Sequence, residues 1–387
     1  MLPETIDLTT EVFLPEDIKQ GWLPLDGQSV LHLFHFTRYP PQHMLYHDFP
    51  DLGHLLHKEE VTGFNPYTLL QFGPPLSQLS NRYSAAIKAA SSPIHSFTLV
   101  PISGHPVRLP IWVFDYWREV GRAMVYRCDW KRALTWLREI SRSEPMAGIC
   151  EQVMAGLSCF PWNGGNCSVH DMASLLTDSW LSDFHIDYGL AKISKQHSDH
   201  YGAKISDRHV LLSVFDLNSI PKAYKGTSPS GNTADKGRRL LEVENKIICG
   251  DFDSVGGVLH LPGHWTSLII TFKPPKISYG DSLGSPMPAN MAHSFQRWIC
   301  HMLMRSGVKF QESDISIYSL ETTIQHDTIS CGLFALNAIG HHYLQQNSPL
   351  LQSDVFSLAH NRIEMASDLL QEGAVSLFLR LLFINHD

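Results

Sequence analysis

The stretch QHDTISCG, residues 325–332, is a polar segment that runs directly into a cysteine. From Gly332 onward the sequence GLFALNAIGHHYL places apolar side chains at helical spacing, which predicts a buried helix. Cys331 would open this helix, where unpaired N–H groups and the helix dipole favour a thiolate over a thiol. The thiolate is the nucleophilic form, so this position suits a catalytic cysteine if the chain also supplies a general base.

A base and an orienting carboxylate stand upstream at the spacing of a hairpin. The segment GHWTSLIITF begins with His264 and Trp265 and continues as an apolar, β-branched run typical of a strand. The sequence KPPK at residues 273–276 predicts a turn, and the returning strand ends at Asp281. Because a hairpin brings its open ends together, we expect His264 and Asp281, 17 positions apart, to be neighbours.

A fourth polar side chain completes the predicted site. Gln325 stands six positions before Cys331, where its amide could donate to an oxyanion that develops during acyl transfer. Nucleophile, base, orienting carboxylate and oxyanion donor are therefore all present in the second half of the chain.

Four motifs in this half resemble those of one known family. His-Trp stands in GHW, an Asp-Ser-Leu segment follows in GDSLG, and a Gln precedes Cys-Gly in QHDTISCG. Upstream, WLSD at residues 180–183 matches a Trp-Leu-x-Asp entry motif. Together and in this order they resemble the ubiquitin-like-protein-specific cysteine proteases, whose best-known members process and remove SUMO. The resemblance covers about residues 160–387, and it has one departure, because Ser330 stands where the family often has Asp.

The resemblance implies a fold, a reaction and a set of site residues. The fold would be α+β, a papain-like or adenain-like protease domain with a central mixed sheet flanked by helices. The reaction would be cleavage after the C-terminal Gly-Gly of a ubiquitin-like, SUMO-like modifier, with that modifier and its conjugates as partners and with no cofactor or metal. The residues that match the catalytic positions are His264, Asp281, Gln325 and Cys331. The residues that match substrate-binding positions are Trp180, Asp183 and Trp265.

Composition excludes several other classes of protein. A net charge of −8 argues against a dedicated nucleic-acid binder, which needs clustered Lys and Arg. The sequence starts with acidic residues rather than a secretory signal, and no run of 18 apolar residues indicates a membrane span. Seven cysteines, an odd number in a long chain, predict reduced thiols and hence a location in the nucleus or cytoplasm.

The N-terminal part holds a strongly aromatic helical pattern around residues 110–143. Pro110 suits a first helical turn, and Asp129 is predicted to cap a second helix that ends before Pro145. The aromatic faces favour a core, with a docking groove for a partner as the alternative. We therefore predict a mainly helical N-terminal domain of unknown role.

The length of 387 residues suggests two domains. We place an N-terminal domain at residues 1–155 and the catalytic domain at residues 156–387, with the boundary in a segment that passes from a helix into a Gly-containing loop. Inside the second domain, residues 222–239 are rich in Gly, Ser, Pro, Lys and Arg, which predicts a surface loop. Its basic side chains either contact an acidic partner or are merely solvated.

Three functions are compatible with these residues. The first is a protease or isopeptidase that acts on a ubiquitin-like modifier. The second keeps the same catalytic residues for another acyl transfer, such as general proteolysis or acetyl transfer. The third is a catalytically inactive, mobile-element-derived protein that binds a modifier, and the intact set of catalytic side chains argues against it.

Overall fold

The computed structural model describes residues 14–24, 30–41, 44–159, 167–225 and 237–384. By their contacts, the described residues form two compact units. The first takes in described residues within 1–135, 154–173 and 370–387, and the second takes in those within 136–153 and 174–369. The predicted division into residues 1–155 and 156–387 stays a prediction about folding.

The elements up to residue 159 are mostly helical. In chain order they are α1 (Glu16–Trp22), α2 (Val30–His35), β1 (Leu56–His57), α3 (Ser77–Ala89), β2 (Ser96–Leu99), β3 (Val107–Pro110), α4 (Val113–Ile140) and α5 (Glu144–Cys159). The three strands form a small antiparallel sheet in the order β1-β2-β3, which the sequence patterns did not predict. The aromatic residues form a core as expected, and the rings of Phe97 and Phe114 stack with their centroids 4.3 Å apart.

The predicted helix break at Asp129 is wrong, because α4 continues through this residue. The Asp129 side chain is buried, and it does not cap a helix. Its carboxylate pairs with Arg132 one turn further on and accepts a hydrogen bond from His170 Nδ1 at 2.7 Å. Those two partners satisfy the carboxylate inside a continuous helix, so the local preference of Asp for a cap is overridden.

The remaining elements follow from residue 169. They are α6 (Val169–Leu175), α7 (Asp183–Tyr201), α8 (Ala203–Ser206), β4 (His209–Leu211), α9 (Val214–Tyr224), α10 (Arg238–Cys249), β5 (Ser254–Leu261), β6 (His264–Phe272), β7 (Pro275–Gly280), α11 (Ala289–Arg305), β8 (Ser316–Ser319), α12 (Cys331–Leu344) and α13 (Val355–Ile384). Of the predicted surface loop at 222–239, residues 226–236 lie outside the described residues, and the flanking positions belong to the ends of α9 and α10.

A five-stranded mixed sheet forms the centre of the second unit. Its order is β4-β5-β6-β7-β8, with parallel pairs at both edges and antiparallel pairs in the middle. Strands β5 and β6 are almost wholly buried, which explains their near-continuous apolar sequence. The predicted α+β class is therefore confirmed.

The predicted hairpin and the predicted nucleophile helix are both present. In the hairpin, Ser267 of β6 pairs with Gly280 of β7, so the start of β6 and the end of β7 lie at the same edge of the sheet. Helix α12 begins at Cys331 and packs on β5, β6 and α7. Nearly all of its side chains are buried, so α12 is a central helix and its N-terminus is fixed by packing. No helix in the described part of the chain is both long and apolar enough to cross a membrane.

Candidate active site

The predicted nucleophile lies where the sequence placed it. Cys331 is the first residue of α12 and is 1% exposed. The loop before it is ordered by Asp327, whose Oδ1 accepts backbone N–H groups from Ile329 at 2.9 Å and from Ser330 at 2.8 Å. Burial alone would raise the pKa of Asp327, but a hydrogen bond from the Ser330 side chain and those from the two backbone N–H groups lower it overall, so the carboxylate stays charged.

The predicted base and carboxylate are in direct contact. His264 Nε2 lies 2.7 Å from Asp281 Oδ1, and the same oxygen accepts the backbone N–H of Leu283 at 2.7 Å. Both side chains are largely buried, with 13% of His264 and 3% of Asp281 exposed. Since Nε2 is engaged by Asp281, Nδ1 is the ring nitrogen that faces the thiol.

Charge at this site favours a protonated imidazole. A hydrogen bond with Cys331 raises the pKa of His264 most, burial opposes that shift, and the Asp281 carboxylate raises it further. A histidine in such surroundings can accept a proton from a neighbouring thiol and keep it as an imidazolium. The three side chains can therefore form a thiolate–imidazolium–carboxylate series.

Gln325 is buried beside these groups, and its carboxamide is fixed at both ends. Its Oε1 accepts the hydroxyl proton of Ser282 at 2.6 Å, and its Nε2 donates to the Asp327 carbonyl at 2.9 Å. The amide carries a second N–H, which is the donor available to an oxyanion. Sequence reasoning missed Ser282 and Asp327 as positioning residues, although both lie inside the motifs that it used.

The two predicted tryptophans have different surroundings. Trp180 is 48% exposed, and its indole N–H donates to the Thr328 carbonyl at 2.8 Å, three residues before the nucleophile. Trp265 is only 4% exposed and donates its N–H to the Leu181 carbonyl at 3.0 Å. Trp180 therefore presents a free face at the site, whereas Trp265 mainly holds the segment that carries Trp180.

Two glycines allow the entry segment to approach the site closely. Gly263 has a φ of +69°, and a Cβ there would lie 3.0 Å from Cη2 of Trp180. A Cβ on Gly332 would lie 3.1 Å from Cβ of Leu181. Asp183, the remaining predicted residue, is exposed in the first turn of α7. All seven predicted residues thus belong to the segments that surround the start of α12.

A cavity of about 730 Å³ lies elsewhere in the same unit, between β7, β8 and the C-terminal end of α12. Lys276, Tyr318, Glu321 and His341 are among its lining residues, and none of the seven predicted residues lines it. Among the described residues, no group of three or more His, Cys, Asp or Glu side chains could hold a metal ion.

A buried cysteine at a helix N-terminus, beside a hydrogen-bonded His–Asp pair and a fixed glutamine amide, defines a papain-like cysteine peptidase site. The model of the Ulp1 protease family, C-terminal catalytic domain, matches residues 183–372. This segment belongs to that family, and the chain is a cysteine-type peptidase. The family predicted from the sequence is confirmed. The match begins at Asp183, so Trp180 lies just outside it.

Solved structures show weaker similarity. The C-terminal Ulp1 protease domain in complex with Smt3, the yeast ortholog of SUMO, is 20% identical, and the match covers 58% of this chain and 94% of that chain with a TM-score of 0.41. The Ulp1-like SUMO protease catalytic domain of Chaetomium thermophilum is 19% identical over 53% of this chain and 78% of that one, with a TM-score of 0.43. The effector XopD of Xanthomonas campestris, bound to ubiquitin, is 15% identical over 48% of this chain and 91% of that one, with a TM-score of 0.31. No curated protein matches the sequence.

Proposed function

We propose that this peptidase cleaves after the C-terminal Gly-Gly of a ubiquitin-like, SUMO-like modifier, either to mature it or to release it from conjugates. The observation that supports this most is the hydrogen-bonded His264–Asp281 pair beside Cys331, with the exposed face of Trp180 at the same site. The solved relatives named above include a Ulp1 domain in complex with a SUMO ortholog, which suggests the substrate class.

In the proposed first half-reaction, His264 takes the proton from Sγ of Cys331, and the thiolate attacks the carbonyl carbon of the final glycine. The backbone N–H of Cys331 and the free N–H of the Gln325 amide donate to the oxyanion. His264 then gives its proton to the departing amine, and the C–N bond breaks to leave a thioester. Loss of one such oxyanion donor typically costs about 3 kcal/mol in the barrier.

In the second half-reaction, His264 removes a proton from water, which attacks the thioester carbonyl. The C–S bond breaks, the modifier leaves as a free carboxylate, and Cys331 recovers its proton from His264. Asp281 holds the imidazole ring in one orientation through both halves, because its carboxylate occupies Nε2.

We propose that Trp180 and the edge of Trp265 border a narrow passage for the modifier tail. An indole face close to an extended backbone leaves no room for a β-carbon, so glycine would pass and larger residues would not. Asp183 is exposed nearby at the start of α7, where its carboxylate suits a basic side chain of the modifier.

The test compares two substrates that differ only at the cleavage site. A SUMO-type modifier fused to a reporter should be cleaved when its tail ends in Gly-Gly and left intact when it ends in Ala-Ala. Trp180→Ala should reduce the difference in cleavage rate between the Gly-Gly and Ala-Ala tails. Trp180 is a better position to test than Trp265, because Trp265 is only 4% exposed and truncating so buried an indole typically costs about 3–5 kcal/mol of stability.

Two cysteine variants provide the matched control. Cys331→Ser should abolish turnover with an unchanged fold. Cys300→Ser should keep wild-type activity, because burial raises the pKa of the Cys300 thiol to about 11 and no base in the described part of the chain is hydrogen-bonded to it. Equal rates on both tails would indicate a general peptidase, transfer of the acyl group to an added amine would indicate an acyltransferase, and binding without cleavage would indicate an inactive modifier-binding protein.

A further inference from the structure

Arg362 is a buried charge for which the reaction described above has no use. It lies in α13, is 2% exposed and donates to three backbone carbonyls. Its Nη1 donates to the carbonyls of Leu175 at 3.2 Å and Thr177 at 3.0 Å, and its Nη2 donates to that of Ser179 at 2.6 Å. Among the ion pairs of the described residues, none includes Arg362. A buried guanidinium satisfied by carbonyls alone keeps its full positive charge.

The three carbonyls belong to the turn that leads directly to Trp180. Leu175 ends α6, so its carbonyl has no partner within the helix and Arg362 supplies one. The Thr177 hydroxyl tightens the same turn by donating to the carbonyl of Ser174 at 3.1 Å. Trp180 then donates to the carbonyl of Thr328 in the loop before the nucleophile. Arg362 is thus linked to that loop by its hydrogen bond to Ser179, the peptide bond from Ser179 to Trp180, and the hydrogen bond of Trp180 to Thr328.

Arg362 stays protonated although it is buried. Burial lowers the pKa of Arg362 to about 10, and the negative charges around it oppose that shift. At neutral pH the guanidinium therefore keeps all of its N–H donors for the three carbonyls.

We propose that Arg362 is a positioning residue of this active site, which holds the turn before Trp180 in place through its three carbonyl contacts. This inference rests on the proposed function, because it acts through the substrate wall that Trp180 forms. Alkylation of Cys331 by a small reagent reports on the nucleophile separately, without any modifier.

Three variants of the full chain separate charge from geometry. Arg362→Met removes the charge and all three hydrogen bonds. Arg362→Lys keeps the charge on a single ammonium that cannot reach all three carbonyls together. The matched control is Arg297→Met, which removes a mostly buried arginine of α11 that binds the carbonyl of Tyr224 and the carboxylate of Glu312.

Two measurements are made on each variant. The first is the rate of iodoacetamide alkylation between pH 5 and 9. It is read by mass spectrometry on the peptide that contains Cys331, because the exposed Cys128 and Cys249 react with the reagent as well. The second is kcat and KM on the Gly-Gly modifier fusion, with near-UV circular dichroism as the check of the fold.

For Arg362→Met we expect kcat/KM on the modifier fusion to fall about tenfold or more, while alkylation of Cys331 stays near wild type. For Arg362→Lys we expect an unchanged alkylation profile and a raised KM. Arg297→Met should change neither the kinetic constants nor the alkylation. A kcat/KM for Arg362→Met within twofold of wild type would overturn the inference, and so would equal losses in the control.

If Arg362→Met does not fold, Arg362→Lys decides alone, and a wild-type KM there overturns the positioning role. If wild type does not cleave the modifier, the proposed function fails. If wild type cleaves it and Arg362→Met cleaves it equally well, only the positioning role of Arg362 fails.

Discussion

Replacing Gly263 by alanine tests how closely the geometry of Trp180 governs turnover. Gly263 has a φ of +69°, and a Cβ there would lie 3.0 Å from Cη2 of Trp180. To restore ordinary van der Waals contact at 3.4–4 Å, the ring edge must retreat by about 0.4–1 Å. The indole N–H now lies 2.8 Å from the Thr328 carbonyl, and such a shift weakens or breaks that hydrogen bond.

Two costs follow for Gly263→Ala, and they are separable. The left-handed backbone should lower the free energy of unfolding by about 1–2 kcal/mol. A displaced substrate wall should lower kcat/KM on a Gly-Gly modifier by about 10–100-fold, since a misplacement of 1 Å can cost that much. Alkylation of Cys331 by iodoacetamide should stay near wild type, because the nucleophile itself is not moved.

Gly307→Ala is the matched control. Gly307 has a φ of +83° with no neighbouring atom within 4 Å of the added Cβ, so it carries the same backbone strain without touching the site. We expect a similar loss of stability and an unchanged kcat/KM, measured with a modifier–aminocoumarin substrate and by urea unfolding. Equal losses of activity in the two variants, or wild-type activity in Gly263→Ala, would refute the assigned role of Trp180.

Two further predictions concern pH. In Asp281→Asn, His264 loses a carboxylate that raises its pKa, so the alkaline limb of the kcat/KM profile should move to lower pH. The value of kcat/KM should also fall by about 10²–10⁴-fold. If the alkaline limb does not move, Asp281 does not act through His264. His197 is buried and hydrogen-bonded to Ser206, and burial lowers its pKa below that of the unfolded chain. As pH falls below about 6.5, the unfolded chain therefore binds a proton at this residue before the folded chain does, and the free energy of unfolding decreases. His197→Gln should lose less stability than wild type between pH 7.5 and 5.5 in urea unfolding, and parallel losses would contradict this.

The hairpin that holds His264 and Asp281 could be predicted because its signals are local. A β-branched run, a Pro-Pro turn and a second short strand fix the 17-residue spacing, and a hairpin has only one way to bring its open ends together. The start of α12 could be predicted equally well, since a polar loop followed by an apolar helical pattern indicates the N-terminus of a buried helix.

Other parts of the site had no local signal. Arg362 binds carbonyls more than 180 residues earlier in the chain, and a single arginine in an amphipathic helix gives no indication of such a partner. The indole N–H of the buried Trp265 likewise donates to the carbonyl of Leu181, 84 positions earlier in the chain. Tertiary contacts of this kind decide what a side chain does after local preferences have decided where its element lies.

Ser330, which stands where the family motif often has Asp, lies in a loop that another carboxylate orders. A carboxylate is still present, three positions earlier at Asp327, where it accepts the backbone N–H of Ser330 itself and that of Ile329. The Asp327 carbonyl also accepts the Gln325 amide, so one residue orders both the oxyanion donor and the last turn before Cys331. Because the hydroxyl of Ser330 adds no charge beside the thiol, the thiolate meets less repulsion from position 330 than an aspartate there would impose. Ser330 therefore leaves the ordering of this loop to Asp327 and places no negative charge of its own beside the nucleophile.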